Sequence, residues 1–223
     1  MATFVLVPGG WHGGWYFQGL ARQLRAAGHE AVPVTLTGLG DRAHLATAAT
    51  NLDTHIQDVL ALLTAERITD AVLVGHSYGG MVITGVADRA PEGIEGMVYS
   101  DAYVPADGES CWDLAGDGFR RLFLEAAAAD GYLVRPPAGL DPRTTAQPLA
   151  SFLQRITLSG GLPDIRRDYV YLSAWEGTPF TALYQRLRED PTWRVHQLAT
   201  GHNVMGEAPE QLLRILLDSL KAS

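Results

Sequence analysis

Val72-Leu73-Val74-Gly75-His76-Ser77-Tyr78-Gly79-Gly80-Met81-Val82 is the stretch from which the architecture can be read. A β-type run, Asp70 to Val74, meets a Gly-x-Ser-x-Gly turn made by Gly75, Ser77 and Gly79. Met81-Val82-Ile83 then begins a segment with helical spacing. Strand, sharp turn and helix around a serine form a nucleophile elbow. A serine held in a strained turn needs neighbours without Cβ, because the strand before it and the helix after it pass close by. The helix N-terminus beyond brings backbone N–H groups and the positive end of a dipole to the hydroxyl. Ser77 is therefore expected at the carboxyl edge of a parallel sheet.

Upstream, Thr3 to Val7 reads as a short buried strand that runs into Pro8-Gly9-Gly10-Trp11-His12-Gly13-Gly14-Trp15. Phe17, Leu20, Ala21 and Leu24 make one helical stripe, closed by Gly28. Ala31 to Leu36 is a second strand, and Thr54-x-x-Gln57 suggests a capping box for a helix that buries Ile56, Val59, Leu60 and Leu63. Downstream, the elbow helix is expected to reach about Ala90, with a fourth strand near Gly96 to Ser100. Such alternation implies right-handed crossovers and a parallel sheet. After Asp101 the rhythm breaks: two helices, Phe119 to Ala129 and Leu149 to Leu158, are joined by Pro- and Gly-rich connections. About 65 residues make only a marginal core alone, so residues 102–167 are expected to form a small helical cap on a core built from 1–101 and 168–223. A strand at Tyr169 to Ser173, a helix at Thr181 to Leu187, a last strand at Trp193 to Leu198 and a closing helix at Glu207 to Leu220 complete the pattern. The fold class is α/β, a mostly parallel six-stranded sheet with helices on both faces.

The 223 residues fit one domain with a modest insertion, and 47% hydrophobic against 19% charged residues provides a substantial core. A net charge of -8 without a basic cluster argues against a nucleic-acid partner. The first residues lack a basic region and a long apolar run, and no stretch has the ~18 apolar residues of a membrane span. The single Cys111 excludes an internal disulfide, and a cytoplasmic location is expected. The expected partner is a small-molecule substrate, and a homodimer is left open. Metal-ligand spacings and a P-loop are absent, and Gly38-Leu39-Gly40-Asp41-Arg42-Ala43 matches the dinucleotide fingerprint only formally, following the second strand without the ribose-binding acid. No cofactor and no metal is expected.

A serine hydroxyl needs a base, and the base needs an orienting carboxylate. Of seven histidines, His202 in Thr200-Gly201-His202-Asn203 follows the last strand and reaches the same sheet edge as Ser77. His29 and His44 read as surface or turn residues, His55 as part of a helix start and His196 as part of a strand, while His12 and His76 flank the site as pocket lining. Two carboxylates fall just past strand ends on the correct edge, Asp101 and Glu176, and either could orient His202. The oxyanion of an acyl-transfer intermediate would be held by the Tyr78 N–H, just after the nucleophile, and by Gly10 after the first strand. Trp11, Tyr78, Tyr103, Trp112 and Trp175, beside His12, are candidates for an apolar pocket.

With the elbow, the glycine-rich loop and Gly201-His202 together, the chain resembles the α/β-hydrolase superfamily from end to end. Phe4-Val5-Leu6-Val7-Pro8-Gly9-Gly10-Trp11-His12-Gly13-Gly14-Trp15 is similar to the opening of the group that holds plant methylesterases, hydroxynitrile lyases and related bacterial esterases. The resemblance implies a sheet lacking the first two strands of larger members. Pro8 stands where many relatives carry the histidine of a His-Gly pair, a departure that leaves the oxyanion N–H intact. In the lyases a threonine follows that histidine and a lysine follows the catalytic one. Gly9 and Asn203 occupy those positions here and look like the esterase pattern. The resemblance also places the acid after the next-to-last strand, which puts Glu176 ahead of Asp101. The function implied is a cofactor-free serine hydrolase acting on a small, largely apolar carboxylic ester through an acyl-enzyme. A same-fold lyase, lactonase, thioesterase or carbon-carbon hydrolase is the first alternative, and a non-catalytic binding protein the second.

Overall fold

Strand β1 (Thr3–Val7) alternates its side chains between two cores. Phe4 and Leu6 enter one, Val5 and Val7 the other, and all four are fully buried. A strand apolar on both faces belongs inside a parallel sheet covered on both sides, and the computed structural model, which describes residues 1–160 and 164–220, has that architecture. The strands β1, β2 (Glu30–Pro33), β3 (Ala71–His76), β4 (Ile94–Ser100), β7 (Arg166–Leu172) and β8 (Arg194–Leu198) form one sheet in the order β2-β1-β3-β4-β7-β8. Every pairing in it is parallel. The sheet is therefore wholly parallel, and a separate two-stranded antiparallel ribbon, β5 (Leu133–Val134) with β6 (Gln147–Pro148), was not anticipated.

Helices α1 (Gln18–Ala26) and α9 (Pro209–Asp218) bury Leu20, Leu24, Leu212 and Leu216 against the Phe4 face. On the opposite face α2 (Leu52–Ala65) and α3 (Gly79–Arg89) contribute Ile56, Val59, Val82 and Ile83. Between β4 and β7 lie α4 (Cys111–Leu114), α5 (Gly116–Ala127), the ribbon and α6 (Leu149–Leu153). Their apolar residues Cys111, Phe123, Val134 and Phe152 belong to the same cluster as α2 and α3, with the Phe123 and Phe152 rings stacked at 4.3 Å. This segment shares the core of the sheet and does not build its own. Residues 161–163 and 221–223, within the expected cap and core ranges, lie outside the described residues.

Three local expectations differ. Helix α2 is capped by Asn51, whose Oδ1 accepts the Thr54 N–H at 3.0 Å while the Thr54 hydroxyl accepts the Asn51 N–H at 3.2 Å; Thr54 is the third helical residue of the capping box and Gln57 has no part in it. The helix expected over Leu149 to Leu158 stops at Leu153. Gln154 turns to extended backbone, and its amide side chain bonds instead to the Asp53 N–H and carboxylate at the start of α2. The closing helix is two pieces, α8 (Val204–Glu207) and α9, because Pro209 begins a new helix and cannot continue the old one. Helix α7 (Thr181–Leu187) follows the sequence reading.

Candidate active site

Chain order in the sheet reverses between β1 and β3, and a crevice at such a switch point, beyond the carboxyl ends of the strands, is where α/β sheets bind ligands. Gly9 and Gly10 leave β1 on one side of it, and Ser77 leaves β3 on the other. Ser77 has φ 53°, the left-handed region rarely used by a residue with a Cβ. The surrounding glycines explain how the turn closes. A Cβ on Gly75 would lie 2.8 Å from the Gly79 carbonyl oxygen, and one on Gly79 would land on the Val7 carbonyl. Outside helices and strands, neither the Gly10 nor the Tyr78 N–H is engaged in a backbone or side-chain hydrogen bond among the described residues.

Two buried side chains, His55 and Gln147, hold these amides in place. The Tyr78 ring is buried, and its hydroxyl lies 2.8 Å from His55 Nδ1. His55 Nε2 meets the Thr37 carbonyl at 2.9 Å, and a carbonyl only accepts, so Nε2 carries the proton and Nδ1 accepts from Tyr78. His55 is thus a fully buried support for Tyr78, which its reading as a mere helix-start residue did not foresee; burial pushes its pKa down to about 4. The glycine-rich loop is braced in turn by Gln147, whose Oε1 accepts the Trp11 N–H at 2.8 Å and whose Nε2 donates to Ser151. No feature of the sequence marked Gln147.

His202 sits between β8 and α8, its ring packed 4.2 Å from Trp175 and 4.5 Å from His76. His76 Nε2 donates to the His202 carbonyl at 3.0 Å. His202 Nδ1 donates to Asp101 Oδ2 at 2.7 Å, which leaves Nε2 as the atom with a free lone pair. Asp101 follows β4 directly, is fully buried, and has φ 45°; its own N–H bonds to the Val170 carbonyl at 2.7 Å, and its Oδ1 accepts the Leu172 N–H at 3.3 Å. Burial pushes the Asp101 carboxyl up to about 7, opposed by the Leu172 N–H. Burial likewise pushes the His202 imidazole down to about 3, with His12 adding to the effect. His202 is neutral near pH 7, as a general base must be.

The placement of Glu176 corrects the sequence ranking of the two acids. Glu176 is exposed and makes no hydrogen bond or ion pair among the described residues. The reason is local. Ser173 and Ala174 extend the pairing with the β8 side through the Leu198 and Thr200 carbonyls, and the chain then turns outward to Gly177, at φ 70°. Trp175, not Glu176, faces the imidazole.

A cavity of about 340 Å³ holds Ser77 and His202 together with Gly9, Gly10, Trp11, His12, His76, Tyr103 and Trp175. Phe119, Leu122, Pro137, Leu140 and Phe180 complete its wall and were missed. The i, i+3 spacing of Phe119 and Leu122 on an expected helix was the available signal for two of them. Trp112 is a correction: it does not line the cavity, but packs at 6.4 Å on Phe123 behind it, its carbonyl accepting from Arg120 Nε at 2.8 Å. Tyr78 also lies outside the wall, turned inward to His55. Among the described residues no cluster of histidine, cysteine and carboxylate is arranged to hold a metal ion, and no helix is long and apolar enough to cross a membrane.

The family profile described as "Alpha/beta hydrolase family" matches residues 4–215. The chain is 40% identical to the carbendazim hydrolyzing esterase of Nocardioides sp. (strain SG-4G), over 95% of this chain and 97% of that one. It is 31% identical to Methylesterase 2 of Arabidopsis thaliana over 46% of this chain and 40% of that protein. An extracellular alpha/beta-hydrolase from a Paenibacillus species superposes with a TM-score of 0.85 at 20% identity, covering 98% of this chain and 99% of the other.

Proposed function

Because this chain belongs to the alpha/beta hydrolase family and is a carboxylic ester hydrolase, we propose that it works as a cofactor-free serine esterase on small, largely apolar esters. The observation that carries the reading is the 2.7 Å bond from His202 Nδ1 to buried Asp101, which leaves Nε2 free, with His202 lining the same cavity as the strained Ser77. Ser77 is the nucleophile, His202 the base and Asp101 the orienting acid. His202 Nε2 takes the hydroxyl proton as Ser77 Oγ attacks the ester carbon. The Gly10 and Tyr78 N–H groups receive the developing oxyanion in a largely apolar cavity, where such donors act more strongly than in water. Asp101 holds the Nδ1–H tautomer and stabilises the imidazolium. The tetrahedral species collapses with transfer of the proton from His202 to the leaving oxygen, and a water activated by the same nitrogen then releases the acid and frees Ser77.

In this reading residues 102–167 act as a small cap over a catalytic core of 1–101 and 168–223. Trp11, Tyr103, Phe119, Trp175 and Phe180 favour an apolar or aromatic acyl group. The relative named as a carbendazim hydrolyzing esterase makes carbendazim the first compound to assay. Buried, unpaired Cys111 is compatible with a cytoplasmic location, which belongs to the same proposal. The test is hydrolysis of short-chain aryl and methyl esters in ¹⁸O-labelled water. One labelled oxygen in the released acid is expected. Ester consumption without label would instead indicate a lyase-type elimination.

A further inference from the structure

Two cavities meet at His202. The second, of about 380 Å³, shares His12, His76, Leu140 and His202 with the first but does not touch Ser77. Its other walls differ in chemistry, being formed by Trp15, Tyr16, the Asp141–Arg143 pair and Asn203. The Arg143 guanidinium lies 4.1 Å over the Trp15 ring and directs Nε and Nη2 to the Asp141 carboxylate at 2.9 and 2.8 Å. That pair carries no net charge, so this wall does not call for an anion. Arg143 Nη1 still holds two N–H donors outside the fork. His12 donates Nδ1–H to the Gly10 carbonyl at 2.7 Å, which leaves Nε2 as an acceptor, and burial lowers its pKa and keeps it neutral. Its ring packs 4.7 Å from Tyr16 and 5.2 Å from Trp15, so the wall consists of flat surfaces.

The group that removes the serine proton must deliver it to the leaving oxygen, and the leaving group must therefore stand against His202. The space that touches His202 but not Ser77 meets this requirement. We propose that the second cavity is the leaving-group subsite and that it takes a neutral, planar, hydrogen-bonding alcohol, a phenol or hydroxylated heteroaromatic, while the apolar cavity takes the acyl group. This inference rests on the serine esterase reading. In the step concerned the bond from Ser77 Oγ to the carbonyl carbon forms and the bond from that carbon to the leaving oxygen breaks. The proton passes from Ser77 through His202 Nε2 to that oxygen, so the alcohol departs uncharged and the Asp141–Arg143 pair stays balanced.

Phenyl butyrate and pyridin-3-yl butyrate share an acyl group and differ in one ring atom, an acceptor within the chemistry that Arg143 can meet. Burst kinetics on both esters with wild type and Arg143→Leu test the assignment. The Arg143 side chain is 61% exposed, so its replacement spares the core. The ratio of kcat/KM for the pyridinyl over the phenyl ester is expected to fall about tenfold in the variant, as for loss of one hydrogen bond from a charged donor, with the loss confined to the acylation phase. A ratio that does not move, or a loss shared equally by acylation and deacylation, overturns the subsite while leaving the esterase reading in place. Failure of the folded wild type to hydrolyse either ester overturns the esterase reading and the subsite with it.

Discussion

Replacing Asp101 with Asn separates the two carboxylates that the sequence could not rank. Asn preserves the shape and tolerates the left-handed backbone, where φ is 45°. Two things are lost. The charge-assisted bond to the imidazolium, 2.7 Å long in the resting state, is worth about 1.5–3 kcal/mol. The amide can also donate to Nδ1 and shift the proton to Nε2, the wrong tautomer for a base. Together these effects come to about 3–5 kcal/mol of transition-state stabilisation, or roughly a 10²–10⁴-fold fall in kcat. Stability is expected to move the other way in alkaline solution. The Asp101 carboxyl is raised from its ordinary 3.8 to about 7, so its contribution to the fold is fully present below 3.8 and is lost as pH rises through 7. Above that pH the buried charge weighs on the fold, and Asn removes it. The assay is steady-state hydrolysis of an aryl ester with urea unfolding at pH 5 and pH 8, using Glu176→Gln as the partner variant. Asp101→Asn should lose activity and gain stability relative to wild type more at pH 8 than at pH 5, and Glu176→Gln should stay within about threefold of wild-type activity, as a surface change does. Full activity in Asp101→Asn with collapse in Glu176→Gln would refute the reasoning.

The supports of the site make separate predictions. Gly80→Ala would drive its Cβ into the Tyr103 carbonyl oxygen; with backbone on both sides of the clash, urea unfolding should register a loss of at least about 1–3 kcal/mol. Gln147→Leu strips the Trp11 N–H of its acceptor, while the Ser151 hydroxyl keeps its bond to the Pro148 carbonyl, and should lower kcat about tenfold with little change in KM, because the oxyanion loop is left loosely held. His55 is held neutral with its pKa at about 4, against an ordinary 6.5. Its stabilisation is therefore complete above 6.5 and lost as pH falls toward 4, a total of about 3 kcal/mol. His55→Gln should flatten the slope of stability against pH by roughly 1.4 kcal/mol per pH unit between 6 and 4.5 in urea titrations.

What the sequence displayed was what short-range spacing controls. The elbow glycines are legible because the clash each one avoids lies within the strand, turn and helix, or on the strand alongside. His202 is legible because a parallel sheet delivers every loop after a strand to the same edge. The acid was not, since Asp101 and Glu176 both follow strands. The difference lies in how far pairing continues past each strand end, through Ser173 and Ala174 on one side and through the Asp101 N–H to Val170 on the other. Trp11, His12, Tyr103 and Trp175 of the wall were legible and the rest was not: Trp112 and Phe180 are both aromatic residues near loop ends, and only the packing of α4 behind Phe123 turns one away from the cavity. His55 and Gln147 act at sequence separations of 23 and 136 residues, beyond any local pattern.

Fluorophosphonate labelling of the wild type beside Ser77→Ala and His202→Ala, with the modified peptide sequenced, tests the central claim most directly. A single adduct on Ser77, lost in Ser77→Ala and slowed by orders of magnitude in His202→Ala, is the predicted result. A folded wild-type protein that hydrolyses aryl esters yet takes up no label at Ser77 would contradict it.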